Sequence, residues 1–165
     1  MRSLCLHLVT GIALALAGCS AEPAPEPTAP TGTYGTIKVR VQGLRNTKGR
    51  VRVLLFHSAN GFPDSAEDAM RSRIERPRGK SIALAWESVA AGDYAIAVLH
   101  DGNENGKMDR SFFGIPKEGY GVSRNPKPRL GPPRFTDAVF TLGSDAEVVE
   151  IDMRYLDDEA EETTD

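Results

Sequence analysis

Cysteine is nearly absent from this chain of 165 residues, with only Cys5 and Cys19. Both lie in the first twenty residues, so the body of the chain has no thiol for a disulfide, a thiolate metal site or a nucleophile. No long apolar run occurs after Leu16, so no internal helical membrane span is expected. Neither sign of charge dominates: 20 Lys and Arg face 23 Asp and Glu, a net charge of −3, which argues against a nucleic-acid partner. The motifs HExxH and GxSxG are missing, as is any His pair at metal-ligand spacing. Aromatics make up 7% and hydrophobic residues 40%, with 16 Gly and 11 Pro. That composition is globular and fits one domain.

The first eighteen residues read as a signal peptide. Arg2 supplies a short basic start, and Leu4 to Leu16 is an apolar stretch broken only by His7, Thr10 and Gly11. Leu16-Ala17-Gly18-Cys19 resembles the lipobox of bacterial lipoproteins, which implies cleavage before Cys19 and lipid on that residue. A thiolate is the nucleophile that accepts such a lipid. Ser20 carries no retention charge, which by the same resemblance points to the outer membrane. Residues 19–33 follow as a tether, with Pro23, Pro25, Pro27, Pro30 and Gly32 and no large hydrophobe. It reads as extended polyproline-type chain. Residues 157–165, with six acids in nine positions, read as a solvated tail.

Between them, residues 34–156 show period-two patterning. Ile37, Val39 and Val41 alternate with Lys38, Arg40 and Gln42, and Val51, Val53 and Leu55 repeat the pattern after Asn46-Thr47-Lys48-Gly49. This predicts a hairpin. Ile82, Leu84 and Trp86 mark a third strand, and Tyr94, Ile96 and Val98 a fourth. Runs at Phe135–Leu142 and Val148–Tyr155 close the series, with Val149, Ile151, Met153 and Tyr155 facing inward. Asp64 or Ser65 reads as the cap of one short helix through Met70 and Ile74. The expected fold is all-β, a single antiparallel sandwich of about seven strands with that helix in a loop. Residues 36–80 hold eleven Lys or Arg against four acids. Lys38, Arg40, Arg50 and Arg52 fall where outward strand positions belong, and a solvated face accounts for them.

The segment with the clearest chemistry is His100-Asp101-Gly102-Asn103-Glu104-Asn105-Gly106-Lys107-Met108-Asp109. Its D-x-N-x-N-G-x-x-D spacing matches the first nine positions of an EF-hand calcium loop. Asp101, Asn103, Asn105 and Asp109 would present side-chain oxygens, and Lys107 its carbonyl. The twelfth position is Phe112 rather than Glu, and Glu118 is the nearest substitute carboxylate. A site with so few acids binds Ca2+ weakly, at roughly 0.1–1 mM. An Asx-rich turn held by its own hydrogen bonds is the alternative. His100, Glu118, Tyr120, Ser123, Arg124 and Asn125 are candidates for a polar ligand site on the long loop that follows. His57 and His100, both at strand ends, are the only basis for a metal-dependent enzyme, a weaker expectation.

Three ordered signatures complete the reading: His100 to Asp109, Gly114 to Ser123 and Pro133 to Phe140. Together they resemble a secreted bacterial family known only as a domain of unknown function, across about residues 36–156. The resemblance implies a prealbumin-like or carboxypeptidase-regulatory-like sandwich and no activity. The expectation is therefore a non-catalytic binding module at the bacterial cell envelope, anchored to the membrane by lipid. Its partner would be a small molecule, a glycan or an envelope protein. A structural role in envelope assembly is the alternative.

Overall fold

The computed structural model describes residues 32–127 and 131–156. The signal peptide, Cys19, nearly all of the tether and the acidic tail lie outside the described residues. Eight strands and one helical turn are present: β1 (Tyr34–Gln42), β2 (Arg50–Phe56), β3 (Arg71–Glu75), β4 (Ser81–Ala90), β5 (Gly92–Asp101), β6 (Gly119–Val122), α1 (Phe135–Ala138), β7 (Phe140–Leu142) and β8 (Ala146–Asp152). The fold is all-β, in two sheets. One has the order β4-β1-β8; the other has the order β3-β2-β5-β6, with β7 also paired to β5.

Alternation places the core. Ile37, Val39 and Val41 of β1 are buried, with Trp86, Val89, Val149 and Ile151 beside them on the first sheet. They meet Val51, Val53 and Leu55 of β2 and Tyr94, Ile96 and Val98 of β5 on the second. Burying each such side chain contributes about 1.5–3 kcal/mol, so this shared layer holds the disulfide-free domain together. Met153 continues it beyond β8, and Tyr155 packs against it half-buried.

The expected β1–β2 hairpin does not form. β1 pairs antiparallel with β4 and parallel with β8, while β2 pairs with β3 and β5. Leu44 explains the difference: it is buried in the core and its N–H donates to Lys80 O at 3.0 Å. The chain therefore crosses between sheets before it reverses.

The helix expected after Asp64 is also absent. Residues 57–70 form a loop, in which Ser65 Oγ accepts the Asp68 N–H at 3.3 Å and Asp68 accepts from Asn60 at 2.7 Å. Met70 N–H then donates to Leu55 O at 2.8 Å and leads into β3. Edge pairing with β2 outweighs helix propensity there, and the charged side chains of β3 suit an edge. The only helical turn in the described residues, α1, takes the first half of the expected Phe135–Leu142 strand.

The second sheet is covered in part on its outer face too. Leu54, Phe56, Ala95, Ala97, Val122 and Ala138 form a separate cluster, against which Phe62, Ala66, Ala69 and Phe135 pack. Phe62 sits edge-on between Phe56 and Phe135, at 5.3 and 5.8 Å. The 57–70 loop and α1 thus close one end of that face and leave the other end open.

Candidate functional site

The open end is where β5 runs out into the Asx-rich loop. Asp101 is buried, and its carboxylate caps the loop from within. Oδ1 accepts the Asn105 N–H at 3.1 Å and Oδ2 the Gly106 N–H at 2.7 Å. Asn103 Oδ1 accepts the Asn105 N–H at 3.1 Å, and Asn105 Oδ1 accepts the Lys107 N–H at 2.8 Å. Each side chain thus hydrogen-bonds the backbone two or more residues ahead, winding the loop inward. Asn103 and Asn105 also donate their amides to Asp109, at 2.6 and 3.0 Å. Gly106 is required at its position: φ is +79°, and a Cβ would stand 3.1 Å from Arg52 Nη2.

Glu118 ties the loop at its neck. It is buried, and its two oxygens accept the Gly102 N–H at 3.0 Å and the Asp109 N–H at 3.2 Å. Burial pushes the Glu118 carboxyl above the usual carboxylate range. The two N–H donors pull it back in part, while the charges of Asp101 and Asp109 push the same way as burial. Three carboxylates therefore share one small region. Among the described residues, none of the three has an ion-pair partner. Glu104, by contrast, points away to Arg50 at 2.8 Å, whose hydrogen bond lowers its pKa. No three His, Cys, Asp or Glu among the described residues are gathered closely enough to hold a metal by themselves. An ion here depends on amide and backbone oxygens as well.

The other sequence-predicted residues separate into structural and surface groups. His100 is buried; its Nδ1 lies 2.6 Å from the Tyr155 hydroxyl and its Nε2 lies 2.8 Å from Lys48 O. A carbonyl can only accept, so Nε2 carries a proton, and both ring nitrogens are engaged. His57 is exposed just beyond β2. Val51 pairs with His100 and Phe56 with Ala95, so the two imidazoles sit at opposite ends of one strand pair. That spacing is roughly 20 Å, and they cannot share a metal or a substrate atom. Ser123 is buried, accepts the Ile96 N–H at 2.9 Å and donates to Ala138 O at 2.5 Å. Asn125 occupies the edge of β8, accepting from Asp152 N–H at 2.9 Å and donating to Glu150 O at 3.2 Å. Arg124 is exposed, with φ at +67°. Tyr120 alone of the ligand candidates outside the loop lines the main groove.

That groove has a volume of about 380 Å³ and lies on the outer face of the second sheet. Its floor is two cross-strand rows, Arg52–Leu99–Tyr120 and Leu54–Ala97–Val122. One wall is the Asx loop with the hairpin that continues it, where Arg110 and Pro116 pair and Ser111 N–H donates to Ile115 O at 2.8 Å. Pro63 and Asp64 of the 57–70 loop form the other wall. Arg110 joins the two walls through Asp64 at 3.0 Å. At the hairpin tip Phe112 and Phe113 are 97% and 84% exposed and meet edge-on at 5.4 Å. The groove is hidden in the sequence because Arg52 falls on an outward strand position that reads as a solvated face. The usable signal was the outward row of β2 and β5, where Leu54, Phe56, Ala95, Ala97 and Leu99 are apolar.

A family model described as an uncharacterized protein conserved in bacteria (DUF2141) matches residues 39–150. No curated protein and no solved structure matches the chain. The match spans both sheets, the Asx loop and the groove, and covers more than half of the sequence: this chain belongs to the DUF2141 family of bacterial proteins.

Proposed function

We propose that this chain is a non-catalytic binding module of the bacterial cell envelope, anchored by lipid on Cys19, whose Asp101–Asp109 loop takes a calcium ion. The observation that carries the calcium reading is that Glu118 bridges the Gly102 and Asp109 N–H groups of the loop that Asp101 caps, and that none of these three carboxylates has an ion-pair partner among the described residues; amide and backbone oxygens of the loop would complete the donor set. Every carboxylate oxygen there has spare lone pairs beyond the N–H it accepts. A hard divalent cation suits that oxygen set and offsets the mutual repulsion. The same loop supplies Gly106, Lys107 and Met108 to the groove wall, so an ion that stiffens the loop also fixes the groove.

Two experiments test the two halves of this reading. In full chain held in detergent, millimolar calcium raises the melting midpoint by several degrees over EDTA, and magnesium does not; identical melts reject the calcium site. Cys19→Ala moves the protein out of the detergent phase or leaves it unprocessed. Unchanged partitioning of that variant rejects the anchor.

A further inference from the structure

We infer that the groove binds a small amphiphile with one anionic head, a carboxylate or a phosphate monoester on an apolar body. The inference rests on reading the chain as a binding module and supplies its ligand class.

The floor and roof set the apolar part. Leu54, Ala97, Leu99 and Val122 lie under the groove, and Phe113 and Ile115 overhang it from the hairpin. Phe113 and Ile115 are exposed beside the groove, and a ligand body would cover them. A volume of about 380 Å³ falls at the small end of ligand pockets and suits a small occupant.

Arg52 sets the head group. It projects from the middle of β2 onto the groove floor, half-buried, with its guanidinium against Gly106. Among the described residues it has neither a hydrogen-bond partner nor an ion pair. Its neighbours Arg50 and Arg110 do, to Glu104 and Asp64 respectively. Lys107, on the Asx-loop wall, adds a second cation without an ion pair among the described residues. Among the described residues the one acid lining the groove, Asp64, is paired with Arg110. A half-buried guanidinium with no counter-charge among the described residues, at the edge of an apolar floor, fits a carboxylate or phosphate in bidentate geometry.

The test is photoaffinity labelling of the full chain in lipid nanodiscs, using decanoic acid with a terminal diazirine, followed by peptide mapping. Its methyl ester serves as the neutral control. The acid is expected to label peptides that carry groove residues, and excess decanoate or decyl phosphate to compete. The better competitor identifies the head group. Arg52→Gln is expected to lower labelling roughly tenfold, as loss of one charge-assisted pair does. Arg40→Gln, on the other sheet, is expected to leave it unchanged, and Leu99→Trp to abolish it by filling the floor. Equal labelling by the ester, indifference to Arg52→Gln in a variant that melts normally, or no groove label overturns the inference. Calcium stabilisation without groove labelling would overturn this inference and leave the module reading standing; loss of both would overturn both.

Discussion

Asp101→Ala is expected to lower the melting midpoint by roughly 10 °C in calcium-free buffer, because two charge-assisted hydrogen bonds lost together are worth about 3 kcal/mol. The carboxylate is buried and holds the Asn105 and Gly106 N–H groups at 3.1 and 2.7 Å. Alanine leaves both donors without an acceptor inside the turn. Removing Asp101 also relieves its repulsion of Glu118, but that effect is smaller than burial and than either N–H contact among the influences on Glu118. Asp145→Ala is the control: Asp145 is exposed in the turn between β7 and β8, and its replacement should shift the midpoint by no more than about 2 °C. The loss is not confined to stability. Gly106, Lys107 and Met108 form a groove wall, so the same variant should weaken any groove ligand. Equal melting shifts for the two variants would contradict the role assigned to Asp101.

Gly49→Ala is expected to be worse still, preventing accumulation of folded protein or lowering its stability by about 3 kcal/mol or more. Two effects combine. Gly49 has φ at +69°, where a Cβ is strained. That Cβ would also stand 2.0 Å from Asp101 O and 2.7 Å from Gly102 Cα. Both neighbours are backbone, at the point where Arg50 pairs with Asp101, so no side-chain rotation relieves the clash. β2 and β5 must separate at the mouth of the Asx loop. Gly79→Ala is the matched control, since nothing lies within 4 Å of its Cβ position. Chemical denaturation of the two variants side by side checks the prediction, and comparable midpoints would contradict it.

The strands were legible because period-two burial leaves a mark that composition cannot hide. Ile37, Val39 and Val41 are buried and Lys38, Arg40 and Gln42 are not fully so, as the alternation requires. Pairing was not legible. β1 and β2 carry the same alternation on either side of a turn-like segment, yet the burial of Leu44 between them sends them to different sheets. β3 gave no strand signal because Arg71-Ser72-Arg73-Ile74-Glu75 faces solvent on an edge, where charge is favoured over apolar alternation. The Asx loop was legible at its oxygen positions, and Glu118 stood out both as the carboxylate nearest the vacant twelfth position and as a polar residue of the following loop. Its bridge from Gly102 to Asp109 depends on a chain reversal that no local spacing encodes. Ser123 and Asn125 show the opposite case. Their polarity suggests a ligand, and in the fold it also serves neighbouring strand edges and carbonyls.

The carboxylates of this loop are proposed to hold a cation. Calorimetric titration of calcium into the full chain in detergent tests it most directly, with Asp101→Asn and Glu118→Gln measured alongside. One calcium per chain is expected, with a dissociation constant of roughly 0.1–1 mM, no comparable heat with magnesium, and weaker binding in both variants. Absence of binding at millimolar calcium, or binding unchanged in both variants, would contradict it and leave the loop as a turn sustained by its own hydrogen bonds.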